Sequence, residues 1–153
     1  MATLEQQLEI HSKIGLDTSI FIYYLEKNTR YLSISQQILE EVSSDNLQAV
    51  ISTVTIMELT VQPWRNVQEE VARGYETFLV NFPNLTIMDA NREVARKGAQ
   101  LRAKYNLRPA DALQVATTIV GGATVWCTND KKLKRVAPEI EVIVLDDFLK
   151  TDG

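Results

Sequence analysis

The strongest constraint on the fold is the alternation of short apolar runs with longer segments of helical period. Five runs rich in apolar and β-branched residues occupy positions 13–16, 48–54, 85–88, 123–127 and 141–145. Their apolar character is continuous, which is typical of strands that are buried on both faces. The segments between them carry apolar residues at helical spacing. The pattern predicts an α/β domain, a three-layer α/β/α sandwich with a mostly parallel five-stranded sheet.

The predicted helices fill the intervals between these strands. We expect them over 20–27, 31–43, 55–62, 66–80, 91–105, 109–120 and 129–136, with a closing turn at 146–149. The third of them must end before Pro63, because proline cannot continue the backbone hydrogen bonds. Pro109 is well placed as the first residue of its helix. Residues 1–10 are an amphipathic lead-in with no assigned element, and the whole chain, 1–153, is predicted to be a single domain whose strand order the sequence leaves open.

Composition narrows the class of protein. Apolar residues make up 45% of the chain and charged residues 24%, as in a soluble globular protein. Cys127 is the single cysteine, so no intramolecular disulfide can form and a reducing compartment is expected. The first ten residues lack the features of a signal peptide, and the charge-free segment 112–128 is too polar for a membrane span. We therefore expect a cytoplasmic protein.

Four acidic residues stand at the junctions where predicted strands end or neighbouring helices begin. They are Asp17 after the first strand, Glu58 after the second, Asp111 in the first turn of the helix that Pro109 opens, and Asp130 after the fourth strand. In open α/β sheets, ligands bind beyond the carboxyl ends of the strands. We expect the four side chains to meet at that edge.

Each acid also has a plain structural interpretation. Asp17 and Asp130 can cap the helices that follow them. Asp111 can offset a helix macrodipole, and Thr55 and Glu58 fit a capping box. These interpretations stay open for each residue singly, but they do not explain why four acids share one type of junction.

A divalent metal ion would explain the four acids together. Converging carboxylates repel one another and raise one another's pKa unless a cation holds them ionised. Oxygen ligands without histidine or cysteine favour Mg²⁺ or Mn²⁺ over zinc. Such a site carries out metal-assisted hydrolysis of a phosphodiester bond. Because Mg²⁺ keeps several waters, some of the acids can act through water.

Basic residues flank two of the acids, although the net charge is −4. The segment 92–108 holds six basic residues and a single acid. A second run follows Asp130 directly: Lys131, Lys132, Lys134 and Arg135. These runs are either solvated helix faces or a path that steers a phosphate backbone toward the acids. On the second interpretation, the residues expected to bind nucleic acid are Arg108, Lys131, Lys132 and Lys134.

With these residues considered together, the chain resembles a PIN domain, in particular the small toxins of the VapC type. The resemblance extends over about 14–149. The motifs that carry it are Leu16-Asp17-Thr18-Ser19, Thr55-Ile56-Met57-Glu58-Leu59, Pro109-Ala110-Asp111-Ala112-Leu113, Thr128-Asn129-Asp130-Lys131-Lys132-Leu133 and Leu145-Asp146-Asp147-Phe148. The segment before residue 13 is a difference, since small toxins commonly begin almost at the first strand.

The resemblance implies an endoribonuclease that depends on Mg²⁺ or Mn²⁺. It also implies frequent homodimers and, for the toxins, a small antitoxin protein that blocks the site. Carried over to this chain, Asp17 and Asp111 correspond to the most direct metal ligands, while Glu58 and Asp130 complete the acidic, catalytic pocket. Thr128 corresponds to the hydroxyl that often accompanies the last acid.

Other function classes agree less well with the motifs. A phospho-accepting receiver domain needs paired acids after the first strand, where this chain has Asp17 alone. A dehalogenase-type phosphatase needs Asp-x-Asp there, and Ser19 occupies the second position. Two alternatives remain open: a PIN-like scaffold that binds RNA or protein without cutting, and an RNA-processing PIN nuclease that is not a toxin.

Overall fold

In the computed structural model, which describes residues 2–149, five parallel strands form one sheet with helices on both faces. The strands are β1 (Lys13–Leu16), β2 (Gln48–Ser52), β3 (Leu85–Met88), β4 (Val125–Thr128) and β5 (Glu141–Val144). The helices are α1 (Leu4–Glu9), α2 (Thr18–Leu25), α3 (Leu32–Ser43), α4 (Thr53–Arg65), α5 (Glu69–Val80), α6 (Arg92–Tyr105) and α7 (Pro109–Val120). Two 3₁₀ helices, Lys131–Val136 and Leu145–Phe148, follow β4 and β5. No helix in this part of the chain is long and apolar enough to span a membrane.

The strand order, which the sequence left open, is β3-β2-β1-β4-β5. The chain builds outward from β1 on one side and then returns to add β4 and β5 on the other. Gly15 of β1 is therefore paired with Val50 of β2 and with Trp126 of β4. The order reverses between β1 and β4, and a crevice opens at such a point beyond the carboxyl ends of the strands.

Two hydrophobic cores sandwich the sheet and confirm the predicted three layers. Val125 and Cys127 of β4 pack in the core that holds α1, α2 and α3. Trp126 points the other way, into the core formed with α6 and α7, because successive side chains of a strand face opposite sides of the sheet. Burial raises the pKa of the Cys127 thiol to about 12, as suits a residue that serves in packing.

Gly15 sets how closely α7 can approach the sheet. A Cβ atom at this position would lie 2.2 Å from the Cγ2 atom and 2.3 Å from the hydroxyl oxygen of Thr118, in the last turn of α7. Only a residue without a side chain leaves room for that contact. The absence of one methyl group thus brings α7 onto the centre of the sheet.

The N-terminal lead-in is a helix, which the sequence analysis did not assign. The hydroxyl of Thr3 accepts from the N–H of Gln6 at 3.1 Å, and the Gln6 side chain accepts from the N–H of Thr3 at 2.9 Å. This capping box starts α1, whose residues Leu4 and Leu8 are buried in the first core. The capping pair and two core contacts together stabilise a helix too short to form alone.

The prediction that the helix after β2 ends before Pro63 is wrong. α4 continues to Arg65 and contains Pro63 in its last turn. The proline removes one donor, but the next turn closes without it, because the N–H of Asn66 donates to the Gln62 carbonyl at 3.0 Å. α5 correspondingly begins at Glu69 and not at 66.

A Gly15→Ala substitution tests the close approach of α7. The added methyl group has to displace the Thr118 side chain, and we expect a loss of about 1–3 kcal/mol in the free energy of unfolding, as for other overpacked cores. Gly74→Ala is the matched control, because nothing lies within 4 Å of its missing Cβ in α5; this helical change should stabilise by about 0.5–1 kcal/mol. Urea denaturation measures both. A Gly15→Ala protein as stable as the wild type contradicts the packing argument.

Candidate active site

The four predicted acids line one cavity of about 450 Å³ in the crevice between β1 and β4. Asp17 follows β1, Asp130 follows β4, and the helices α4 and α7 carry Glu58 and Asp111. The other lining residues are Thr18, Ser19, Ile22, Tyr23, Arg108 and Asn129. The structure thus brings together side chains that lie up to 113 positions apart in the sequence.

Asp17 is held at the floor of the cavity by β4. Its backbone N–H donates to the Cys127 carbonyl at 2.9 Å, and the Thr128 hydroxyl donates to its Oδ2 atom at 2.6 Å. Asp17 stands at the N-cap position of α2, but its side chain makes no capping hydrogen bond. Helix capping therefore does not explain this carboxylate, which is held by Thr128 instead.

The charge of Asp17 is costly where it lies. Burial, together with the negative charges of Glu58 and Asp111, raises the pKa of Asp17 to about 6, and the hydrogen bond from Thr128 opposes the rise. The three acids therefore interact electrostatically. A cation in the cavity would offset both the cost of burying the charge and the repulsion between the acids.

The capping-box interpretation of Glu58 is wrong. β2 ends earlier than expected, at Ser52, and the Ser52 hydroxyl caps α4 by accepting from the N–H of Val54 at 3.0 Å. The Oε1 atom of Glu58 instead accepts from the Thr18 hydroxyl at 2.8 Å and from the Gln114 amide. Glu58 is thus turned toward α2 and α7.

Asp111 makes an ion pair at the rim of the cavity. The Nε atom of Arg108 lies 3.1 Å from its Oδ2 atom, and the guanidinium is mostly exposed. This hydrogen bond with Asp111 is the largest cause of a raised pKa for Arg108, and the charges of Asp130 and Glu58 add to it. Arg108, which was predicted to bind nucleic acid, therefore stays protonated and positively charged at the mouth of the cavity.

Asp130 combines a capping role with a place in the cavity. Its Oδ1 atom accepts from the N–H of Lys132 at 3.0 Å and caps the 3₁₀ helix, as the structural interpretation predicted. Its own N–H donates to the Thr128 hydroxyl at 3.1 Å. Thr128 therefore connects Asp130 to Asp17.

Two of the three lysines that were predicted to bind nucleic acid form ion pairs. Lys131 lies 3.6 Å from Asp146 and Lys134 lies 2.9 Å from Asp147, and both acids belong to the second 3₁₀ helix. A hydrogen bond from the Tyr31 hydroxyl is the main reason why the pKa of Asp146 is lowered.

The donor set suits a divalent ion, although it is not a ready-made cage. Within residues 2–149, no three histidine, cysteine, aspartate or glutamate side chains lie close enough to hold a metal. The side-chain hydrogen bonds described above each use a single carboxylate oxygen of their acid. The second oxygen of each acid can therefore bind a metal ion. Mg²⁺ binds through one or two carboxylates and several waters, and the buried carboxylate of Asp17 beside two other acids fits that requirement.

Sequence reasoning missed two residues at the cavity, Gln114, which orients Glu58, and Asn129. Gln114 lies three positions after Asp111 on α7, where an amide stands out in an otherwise apolar stretch, and this was the available signal. Asn129 was not singled out either: its amide donates to the Tyr23 hydroxyl at 3.0 Å and its carbonyl accepts from the N–H of Asp146 at 3.0 Å. It joins the loop after β4 to α2 and to the end of β5.

Comparison with known proteins shows the family to which this fold belongs. The family model described as PIN domain matches residues 14–138, which is most of the chain. The chain belongs to the PIN domain family. No curated protein sequence matches it significantly.

Solved structures of VapBC proteins share this PIN fold. A DNA-bound VapBC from Salmonella typhimurium is 23% identical, with a TM-score of 0.67 over 88% of this chain and 98% of that chain. VapBC2 from Rickettsia felis, bound to a promoter DNA fragment, is 19% identical, with a TM-score of 0.65 over 86% and 98%. VapC20 from Mycobacterium tuberculosis, described as a sarcin-ricin loop cleaving toxin, is 11% identical, with a TM-score of 0.59 over 74% and 86%. At these identities the similarity establishes the fold.

The raised pKa of Asp17 predicts an unusual pH dependence in the presence of a chelator. Between about pH 4 and pH 6 the folded protein keeps the Asp17 proton that the unfolded chain has lost, so stability falls as the pH rises. The decrease attributable to Asp17 is at most about 3 kcal/mol and is nearly complete at about pH 7, one unit above the pKa of the folded state. Asp17→Asn should remove this dependence and be more stable than the wild type at pH 7.

Urea denaturation at several pH values measures the effect. Asp89→Asn is the control, because Asp89 is an exposed acid that follows β3 at the far edge of the sheet. Identical pH profiles for the wild type and Asp17→Asn would show that Asp17 is not destabilised by its surroundings.

Proposed function

We propose that this PIN domain is a divalent-metal-dependent endoribonuclease and the toxin of a type II toxin–antitoxin pair. The observation that carries the proposal is the convergence of Asp17, Glu58, Asp111 and Asp130 on one cavity at the switch point of the sheet. The similarity of the fold to VapBC proteins, and the description of VapC20 as a toxin that cleaves the sarcin-ricin loop, support RNA as the substrate.

The residues of the cavity would have different roles in binding a metal ion. Asp17 and Asp111 would hold a Mg²⁺ or Mn²⁺ ion, with Glu58 and Asp130 contributing directly or through water. When bound, the ion supplies charge neutralisation at the phosphoryl oxygen and a water of lowered pKa. Thr128 fixes the carboxylate of Asp17 in one orientation.

Two further contacts hold the acid on α4. Thr18 and Gln114 both donate to Glu58, so that its position is set before substrate arrives. Fixed polar groups of this kind reduce the reorganisation needed during reaction. Gln114 and Thr18 are thus positioning residues for the acidic cavity.

We propose that the RNA backbone approaches across the basic side of the cavity. Arg108 lies at its mouth, and the 3₁₀ helix that carries Lys131, Lys132 and Lys134 begins directly after Asp130. The ion pairs of Lys131 and Lys134 with Asp146 and Asp147 are partly exposed and therefore weak. A phosphate can compete for both lysines.

We also propose a protein partner and a cytoplasmic location. A cognate antitoxin is supported by the similarity to solved VapBC and toxin–antitoxin structures. A homodimer is supported by Met57, Val61 and Trp64, which are exposed along one face of α4. The single cysteine, buried in the sheet, suits the reducing cytoplasm.

Light scattering tests the homodimer: a mass near twice 17.3 kDa supports it, and a mass near 17.3 kDa contradicts it.

A cleavage assay on a mixed pool of structured and single-stranded RNA tests the activity. The wild type should cut RNA with Mg²⁺ or Mn²⁺ and stop when a chelator is added. Asp17→Asn and Asp111→Asn should each reduce the rate by about 100-fold or more, since each removes charge from the reacting centre. Asp89→Asn should cut as the wild type does.

Two results would count against the nuclease. Cleavage that persists in Asp17→Asn or in chelator rules out the proposed site. RNA binding by a metal-loaded protein that cuts nothing in the pool favours the alternative of a non-catalytic scaffold.

A further inference from the structure

A second, smaller cavity of about 220 Å³ adjoins the acidic one. Arg108, Asp111 and Asp130 line both cavities and form the wall between them. The remaining lining residues are Asn106, Leu107, Lys132, Leu133 and Arg135. This basic cavity lies between the end of α6 and the 3₁₀ helix after β4.

The charges of the basic cavity favour an anion. Three cations, Arg108, Lys132 and Arg135, face two acids. Each acid already has a partner here: Asp111 accepts from Arg108, and Asp130 accepts from the N–H of Lys132. A metal ion held by the same two acids on the other side of the wall would leave the basic cavity more positive still.

The cavity is also fixed in shape. The Nε atom of Arg135 donates to the Lys132 carbonyl at 2.8 Å, and its Nη1 atom donates to the Tyr105 carbonyl at 2.9 Å. A guanidinium carries five N–H donors, so the remaining ones can meet an anion. On the opposite side Arg102 holds the loop after α6 through the Leu107 carbonyl at 2.9 Å.

The size of the basic cavity fits one small group. Its volume is below the roughly 300–1,000 Å³ of ordinary ligand sites, so a whole nucleoside does not fit. Leu107 and Leu133 are buried and line it, so that part of its lining is apolar. An apolar surface beside several cations strengthens the binding of a charged oxyanion.

We propose that the basic cavity binds a phosphate of the RNA backbone next to the phosphate that is cut. The inference rests on the proposed function, because it takes the acidic cavity as the place of cleavage. The shared wall of Arg108, Asp111 and Asp130 places the two phosphate positions side by side. Lys132 and Arg135 are the binding residues that belong to the basic cavity alone.

The test measures RNA affinity as a function of salt. A fluorescently labelled single-stranded RNA is titrated with the full chain in chelator, so that no cleavage occurs. Lys132→Gln should weaken binding severalfold at low salt and reduce the slope of log K against log salt by about 0.7, the value for one lost phosphate contact on a single strand. Arg96→Gln is the control for charge, because Arg96 is an exposed residue near the start of α6.

A second arm separates a backbone phosphate from a free ion. Inorganic phosphate is added to labelled protein, and the amide resonances of Asn106, Lys132 and Leu133 are followed by NMR. Shifts of these resonances together with a reduced RNA slope in Lys132→Gln support the proposal. Shifts without any change of RNA slope would mean a site for free phosphate and overturn it.

Three other results overturn the proposal as well: equal slope changes in Lys132→Gln and Arg96→Gln, an unchanged slope in Lys132→Gln, or no RNA binding by the wild type. Failure of the nuclease proposal is recognised separately, because the cleavage assay uses metal and this assay does not. A protein that never cuts RNA but loses one phosphate contact in Lys132→Gln keeps the anion site and loses the activity.

Discussion

The parallel pairing of β1 with β4 is the contact on which the site depends. It places Leu16 beside Cys127, so that Asp17, which follows β1, lies next to Thr128, the last residue of β4. Gly15, one position earlier, admits α7 to the face of the same strands. That helix carries Asp111 and Gln114 to the crevice. A wider separation between α7 and the sheet would move both side chains away from the other acids.

The acidic residues of the site are electrostatically unfavourable until a cation binds among them. A buried carboxylate beside two others is unfavourable, and the raised pKa of Asp17 is the measure of that cost. The chain limits the cost with neutral donors, Thr18, Gln114 and Thr128, which orient the acids without cancelling their charge. The positive residues stay at the rim, where Arg108 is exposed. Such an arrangement keeps the interior anionic for a metal and the approach cationic for a phosphate backbone.

Much of the fold and of the cavity could be predicted from the sequence, because both depend on local signals. Continuous apolar runs marked every strand to within a few residues, and the position of each acid at a junction was visible without coordinates. Strand order could not be derived, since nothing local distinguishes a neighbour on the left of β1 from one on the right. The partners of Glu58 were missed for a similar reason: Thr55 is three positions away and suggested a cap, whereas Gln114 is 56 positions away. The true capping box, Thr3 with Gln6, had the same sequence signature but stood in a segment with few other helical signals.

The most direct test of the central claim, that the acidic cavity holds a divalent ion, is a calorimetric titration of the protein with Mn²⁺ near neutral pH. The wild type and Asp89→Asn should bind the ion with equal affinity, and Asp17→Asn should bind it roughly 10- to 100-fold more weakly or not at all. Equal Mn²⁺ binding by the wild type and Asp17→Asn, or none by either, would contradict the claim and leave the four acids without the cation that explains their convergence.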